Sequence, residues 1–399
     1  MRKSPLARLY MSQKKCVSRG KSTYLQTMKP SISIAIFAAM SNQSSIFLES
    51  HNLKNEFSGF GQFNKHLIDA LIRQNSNNFQ FVIHARDKNK WSEHFGENVA
   101  IKKYYNFTRN KSIGIRKRFD VWHSLNQNTK IEPLRNLPYV LTVHDVNFID
   151  EISSDINHKR NKRFQEKLDR ATAITYISTF AKQSTHQYFK VPEVPEYIIY
   201  NGNTINEVEI SDTYSPKITP ARPFLFTIGD VCERKNQHVL VEMLKNLRDF
   251  DLVISGKMAS DYAQKKLKTT IKDLGLEKRV HLTGRISDLD KFYYYKNCEA
   301  FMFPTLREGF GIPAIEAMRF GKPAFISNNT SLPEVGGDVA FYWDHYDAKY
   351  MAEIVTSGLA EVAHNKSAFQ KKSITHSKKF CWDVAAKQYI NVYREVLNK

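Results

Sequence analysis

Short runs of apolar and β-branched residues return along nearly the whole chain, and most are followed by a stretch with helical spacing. The first half has such runs at 31–38, 79–85, 119–124, 139–144, 173–178 and 196–200. The second half has them at 224–229, 252–256, 280–284, 300–304, 323–327 and 339–343. Between them, Val239, Leu240, Met243, Leu244 and Leu247 make one apolar stripe of a helix. A strand apolar on both faces has to be covered on both faces. Parallel neighbours also require a crossover, which a helix supplies. The alternation therefore predicts an α/β chain with parallel sheets.

Residues 206–223 break the pattern. They are polar, carry Pro216 and Pro220, and have no clear period, so they read as a linker. The expected organisation is a leader at 1–29, a first α/β domain at 30–205, the linker, and a second domain at 224–380. The two domains are expected to be Rossmann-like and to face each other. In such sheets ligands bind at the carboxyl ends of the strands, and a cleft would bring both sets of ends together.

Composition narrows the function classes. No run approaches the roughly 18–20 apolar residues of a membrane-spanning helix. Four cysteines (Cys16, Cys232, Cys298, Cys381) have no paired spacing, which suggests neither a disulfide framework nor a zinc site and fits a cytoplasmic location. The formal charge is +19. Residues 1–29 hold eight basic residues and no acid, leaving +11 for the rest. This leader reads as a targeting segment or as sequence upstream of the functional start; Met28, just before the run at 31–38, favours the second. Two further basic clusters stand at Arg109, Lys111, Arg116, Lys117 and Arg118, and along Lys159–Arg170. They fit a solvated helix face or a surface that attracts phosphates. A nucleic-acid binder is the rival they raise, but no helix-turn-helix or zinc finger accompanies them.

The chemistry concentrates in two strand-to-helix segments. In Phe303-Pro304-Thr305-Leu306-Arg307-Glu308-Gly309-Phe310-Gly311-Ile312-Pro313-Ala314-Ile315-Glu316, Gly309 and Gly311 permit a tight turn. Pro313 suits a first helical turn, and free amides at a helix start cradle an anion such as a diphosphate. Glu308 and Glu316 can accept hydrogen bonds from sugar hydroxyls. In Gly229-Asp230-Val231-Cys232-Glu233-Arg234-Lys235-Asn236, two adjacent cations at the expected helix start oppose the helix dipole. An anion at that position would explain the cost.

Glu308 and Glu316, with seven residues between them, resemble the E-x7-E signature of the family-4 retaining glycosyltransferases. Phe303-Pro304, Gly321-Lys322-Pro323 and Ser331-Leu332-Pro333-Glu334-Val335-Gly336-Gly337-Asp338 are similar to the family's flanking pattern. The resemblance implies the GT-B architecture, with a closing helix at 381–399 that crosses back to the first domain. It implies that Glu316 holds the donor ribose, that Glu308 contacts the transferred hexose, and that amides around Phe310 and Gly311 bind the distal phosphate. Lys235 would act on the diphosphate. Many members carry an Arg just after the Gly, where this chain has Asp230. Either Arg234 supplies the second positive charge or the grip differs. His144, at a strand end in Leu141-Thr142-Val143-His144-Asp145, resembles the family's His facing the transferred sugar. Gly59 and Gly61 resemble its first glycine loop.

The function expected is hexosyl transfer with retention from a nucleoside-diphosphate sugar, GDP-mannose first, to a glycan or lipid-linked glycan in surface-polysaccharide assembly. No cofactor, metal or specific nucleic acid is expected. Peripheral contact with anionic membrane at the inner face is. Two Asp-x-Asp strings, 288–290 and 249–251, lack the surroundings of a metal site. A nucleotide-sugar epimerase or a phosphorylase of the same architecture is the alternative.

Overall fold

The computed structural model describes residues 43–76, 78–96, 99–110, 113–205, 211 and 213–398. The leader at 1–29 and the strand expected at 31–38 lie outside the described residues.

Seven strands form the first sheet: β1 (Ser44–Glu49), β2 (Phe79–Ala85), β3 (Ala100–Lys103), β4 (Val121–Ser124), β5 (Tyr139–Val143), β6 (Ala173–Tyr176) and β7 (Glu196–Ile198). Six form the second: β8 (Phe224–Ile228), β9 (Asp251–Ser255), β10 (Val280–Gly284), β11 (Ala300–Phe303), β12 (Ala324–Ser327) and β13 (Phe341–Trp343). The orders are β3-β2-β1-β4-β5-β6-β7 and β10-β9-β8-β11-β12-β13. Every pairing in both is parallel. Each sheet starts at an inner strand, builds outward to one edge, then returns to build the other side. Connections therefore diverge between β1 and β4, and again between β8 and β11. The crevice outside the carboxyl ends of such strands is where α/β sheets bind ligands.

Strands β1 and β3 were not expected. In β1 only Ile46, Phe47 and Leu48 are apolar, and all three are fully buried. The run is too short to stand out, yet it lies inside the sheet. Strand β3 is a four-residue edge ending in two lysines, a polar pattern that an edge tolerates.

Helix α1 (Gly59–Gln74) packs on the first sheet through Phe63, Leu67, Ile68 and Leu71. Helix α2 (Lys159–Arg170) shows how the second basic cluster is used. Lys167 is buried 2.5 Å from Glu132, Arg170 reaches the same carboxylate at 3.5 Å, and Arg160 lies over the Phe148 ring. Those three cations hold the fold. Helix α3 (Thr179–Tyr188) follows β6. Helices α4 (His238–Leu244), α5 (Asp288–Asn297) and α6 (Ile312–Arg319) serve the second sheet.

The last helix, α7 (Trp382–Leu397), belongs to the core of the first sheet. Trp382, Tyr389, Ile390, Tyr393 and Val396 cluster there with Phe63, Leu67 and Leu71 of α1. Its polar anchor is a buried chain under the sheet. His123 Nδ1 lies 2.7 Å from the Tyr393 hydroxyl and His123 Nε2 2.7 Å from Thr142 Oγ1, which also touches Tyr389. A turn at Gly202 meets the start of α7 so closely that a Cβ there would lie 2.3 Å from the Trp382 amide nitrogen.

Candidate functional site

At the divergence point of the second sheet, the chain leaves β8 through Gly229 and makes a short 3-10 turn, Glu233–Lys235. Asn236 follows in the left-handed region at φ 56°, and α4 starts only at His238. This corrects the sequence reading: Arg234 and Lys235 do not sit at the start of an α-helix, so the dipole gives no reason for them. Their reason is across the crevice. Lys235 Nζ lies 2.5 Å and Arg234 Nη1 3.0 Å from Glu308 Oε1. Thr305 Oγ1 donates to the same oxygen at 2.9 Å, and Lys235 also lies over the Phe303 ring at 4.6 Å.

Burial opposes the charge on Glu308, but Lys235 and then Arg234 outweigh it and hold its carboxyl below the usual carboxylate range. The Glu308 turn is fixed from below by Ser331 Oγ, which donates to the carbonyls of Glu308 and Phe310. Arg234 and Arg307 also reach the segment after β5, at Glu151 (3.6 Å) and Asp150 (3.1 Å).

The two glycines of the turn are required for different reasons. Gly311 has φ +113° and caps α6. Gly309 faces the loop after β5: a Cβ there would lie 2.5 Å from the His144 carbonyl oxygen and 3.4 Å from Asp145 Cβ. Ser178 Oγ donates to the Gly309 carbonyl at 2.8 Å. Among the described residues the amides of Gly309, Phe310 and Gly311 donate to no protein acceptor. They are thus available to an anion in front of α6. The Phe310 ring is core, packed edge-on against Phe380, so only its amide faces this role. Gly309→Ala is expected to destabilise the fold by about 1–3 kcal/mol through that backbone clash, read as a lowered urea midpoint. An unchanged midpoint would show that the two loops do not touch.

His144 lies against this turn through its backbone. Its ring is buried between Phe60 and Phe63, at centroid distances of 4.8 and 4.4 Å. Nε2 lies 2.9 Å from the Leu125 carbonyl, so that nitrogen carries the proton. Burial pushes the ring pKa down to about 4, and His144 is a neutral imidazole at pH 7. Burial lifts neighbouring Asp145 to about 6, against the Asn147 amide and the charge of Arg234. Of the first glycine pair, a Cβ on Gly61 would lie 2.0 Å from the Asn55 carbonyl oxygen, while Gly59 faces open space.

Glu316 forms a second cluster, in the middle of α6 rather than its first turn. Tyr295 donates to its Oε2 at 2.9 Å; Lys291 Nζ lies 3.0 Å from Oε1, which also accepts from Thr204. Burial works against the Lys291 charge, but Glu316 raises its pKa above the usual lysine value. The sequence reading missed Lys291, Thr204, Tyr295 and Thr305. Lys291 looks like any solvent-facing helical lysine until α5 is placed beside α6. Glu334, in the segment after β12, was also unassigned. It accepts from the Thr179 and Phe180 amides at the start of α3 and from Tyr200, tying the two sheets' connections together.

Glu316→Gln keeps a Tyr295 acceptor but removes the charge. It is expected to lower nucleotide-sugar affinity by about 1.5–3 kcal/mol, the worth of a charge-assisted bond. Calorimetric titration would measure it. Unchanged affinity in the folded variant would remove Glu316 from the donor site.

One acid of each Asp-x-Asp string is engaged within the fold. Ser287 and Asp290 form the reciprocal cap of α5. Asp251 is held by Arg222 at 3.1 Å and His281 at 2.9 Å.

Residues 212–372 match the family model described as glycosyl transferases group 1. The chain is 26% identical over 245 residues to the serotype-specific mannosyltransferase WbdA of Escherichia coli, covering 58% of this chain and 30% of that protein. It is 26% identical over 277 residues to the O-antigen chain mannosyltransferase B of Escherichia coli, covering 64% and 70%. The chain thus spans under a third of WbdA. Its fold superposes on Anabaena HepE, solved in complex with UDP-glucose, with a TM-score of 0.68 at 15% identity, over 88% of this chain and 99% of that one. The region that matches the glycosyl transferase model holds the second sheet, and the fold of the whole is of the GT-B type.

Proposed function

We propose that this chain, a GT-B glycosyltransferase similar to bacterial surface-glycan mannosyltransferases, moves a hexose from a nucleoside-diphosphate sugar to a hydroxyl of a glycan or lipid-linked glycan. The observation that carries this is the meeting of Lys235, Arg234, Glu308 and three free amides at the divergence point of the second sheet, with Glu316 farther along the same helix. Mannose, from GDP-mannose, is the sugar proposed, because WbdA and mannosyltransferase B are named for its transfer. HepE holds a uridine nucleotide, so the base is the first thing to test. A thermal-shift screen of nucleotide sugars does so, since a ligand that binds only the folded chain raises its stability.

In the proposed reaction the bond from the anomeric carbon to the diphosphate oxygen breaks, the acceptor oxygen takes its place on the same face, and the acceptor's hydroxyl proton passes to the leaving diphosphate oxygen. Charge builds on the leaving diphosphate. Lys235 and the amides of Gly309, Phe310 and Gly311 stand where preorganised donors would meet it. Arg234, already bound to Glu308 and Glu151, holds the Glu308 carboxylate in place. Glu308 then accepts from hexose hydroxyls, and Glu316 from the ribose. His144, neutral and wedged between two rings, shapes the wall on the sugar side.

The reaction is proposed to need no divalent cation and to run in the cytoplasm, at the inner membrane face. No described helix is long and apolar enough to cross a membrane. Transfer is expected to persist in excess EDTA and to give a product with the donor's anomeric configuration. Activity lost to chelator and restored by manganese would defeat the first half. An inverted anomeric proton in the product's NMR spectrum would defeat the second.

A further inference from the structure

A groove of about 720 Å³ opens at the carboxyl ends of β2 and β3, apart from the donor residues. Its cations come from three places. Lys54 lies in the turn after β1; Arg86 and Lys88 follow β2; Lys103 ends β3. Among the described residues none of these four forms an ion pair. The two acids of the lining are occupied: Glu56 pairs with Lys90 at 2.6 Å, and Asp87 accepts from the Lys90 amide as a helix cap. The floor is apolar and aromatic, with Leu53, Trp91 and Tyr104 buried. The Tyr104 hydroxyl is buried without a hydrogen-bond partner among the described residues. Arg109 lies over the Tyr104 ring. Burial, then Arg109 and Arg86, lower the Lys54 pKa against the smaller opposing pull of Glu49.

Like charges held close without acids cost free energy. A solvated lysine face avoids that cost by spreading its side chains. Here backbone from three neighbouring connections converges them on one concavity. In parallel sheets all carboxyl ends lie on one side, so the groove opens on the side that carries the His144 loop. We propose that this groove is a binding site for a phosphate or diphosphate group and, resting on the transferase reading, that this group belongs to the acceptor. The aromatic floor receives the sugar or alkyl portion next to the phosphate, and Arg86 and Lys103 bracket its oxygens.

The test uses the full chain and inorganic pyrophosphate as probe, with lysine acetylation rates read by mass spectrometry. Pyrophosphate is expected to slow labelling of Lys54, Lys88 and Lys103 several-fold, with the effect fading as salt rises. In an Arg86→Ala/Lys103→Ala variant, protection at Lys54 and Lys88 should vanish, while protection of Lys235 by nucleotide sugar remains. Vesicles of phosphatidylcholine with phosphatidylglycerol separate the sources. Vesicles that compete with pyrophosphate identify a lipid headgroup, and vesicles that do not identify a soluble phosphate ester. No protection at the groove lysines overturns the proposal, as does protection that survives the double substitution or comes from vesicles alone. If groove protection holds but no nucleotide sugar protects Lys235, the transferase reading fails instead. In a transfer assay the same variant should raise the acceptor KM several-fold with the donor KM unchanged.

Discussion

Lys235→Ala is expected to slow hexosyl transfer by about 100–1000-fold, the range found when one preorganised donor to a developing anion is removed. The side chain is tightly placed. It lies 2.5 Å from Glu308, over the Phe303 ring, and against Gly229, where a Cβ would lie 3.4 Å from Lys235 Cε. A cation so held loses little freedom when a diphosphate arrives. Its removal should weaken a nucleoside diphosphate far more than the free nucleoside, because only the former presents charge. The difference should shrink with rising salt. Arg234 remains on Glu308 in the variant, so the turn keeps one counter-charge and the chain should fold. Calorimetry with nucleoside and nucleoside diphosphate, beside initial rates, measures both effects. Equal losses for the two ligands would argue that Lys235 serves the turn and not the phosphate.

Stability is expected to fall as pH drops from about 6.5 towards 4, through buried neutral histidines. Burial, with a smaller push from His144, lowers His123 to about 3; burial lowers His144 to about 4. An unfolded imidazole titrates near 6.5. Below that pH the unfolded chain takes up protons that the folded chain refuses. Each ring then removes up to about 1.4 kcal/mol per pH unit, and the contribution is complete above the unfolded value. His66 and His238, lowered to about 4 mainly by burial, act in the same direction. Asp145, raised to about 6, acts in the opposite sense and offsets one ring below that pH. Urea midpoints from pH 7.5 to 4.5 should decline, and His123→Gln should flatten the slope by one proton. Gln keeps a donor and an acceptor for Tyr393 and Thr142, so the variant retains the anchor of α7. An unchanged slope would place the acid sensitivity elsewhere.

Much of the fold was legible because buried parallel strands leave a plain trace. Eleven of the strands follow β-branched or aromatic runs that end where the structure ends them, within a few residues. The sequence also determined the Glu308–Glu316 turn, since a glycine in the left-handed region and a proline in a first helical turn are local requirements. Strand β1 escaped because three apolar residues between serines and Glu49 carry too short a period. Only the tertiary structure decided why Arg234 and Lys235 stand where they do. A local dipole argument placed them at a helix start, but their partner is Glu308, some 70 residues on. Lys291 became part of the site only when α5 packed beside α6, and Phe310 proved to offer an amide while its ring went to the core. Hydrophobic period and turn chemistry act between near neighbours and can be read along the chain. Charge pairing and close backbone approach, as at Gly309 against His144, act through space, and folding alone sets those distances.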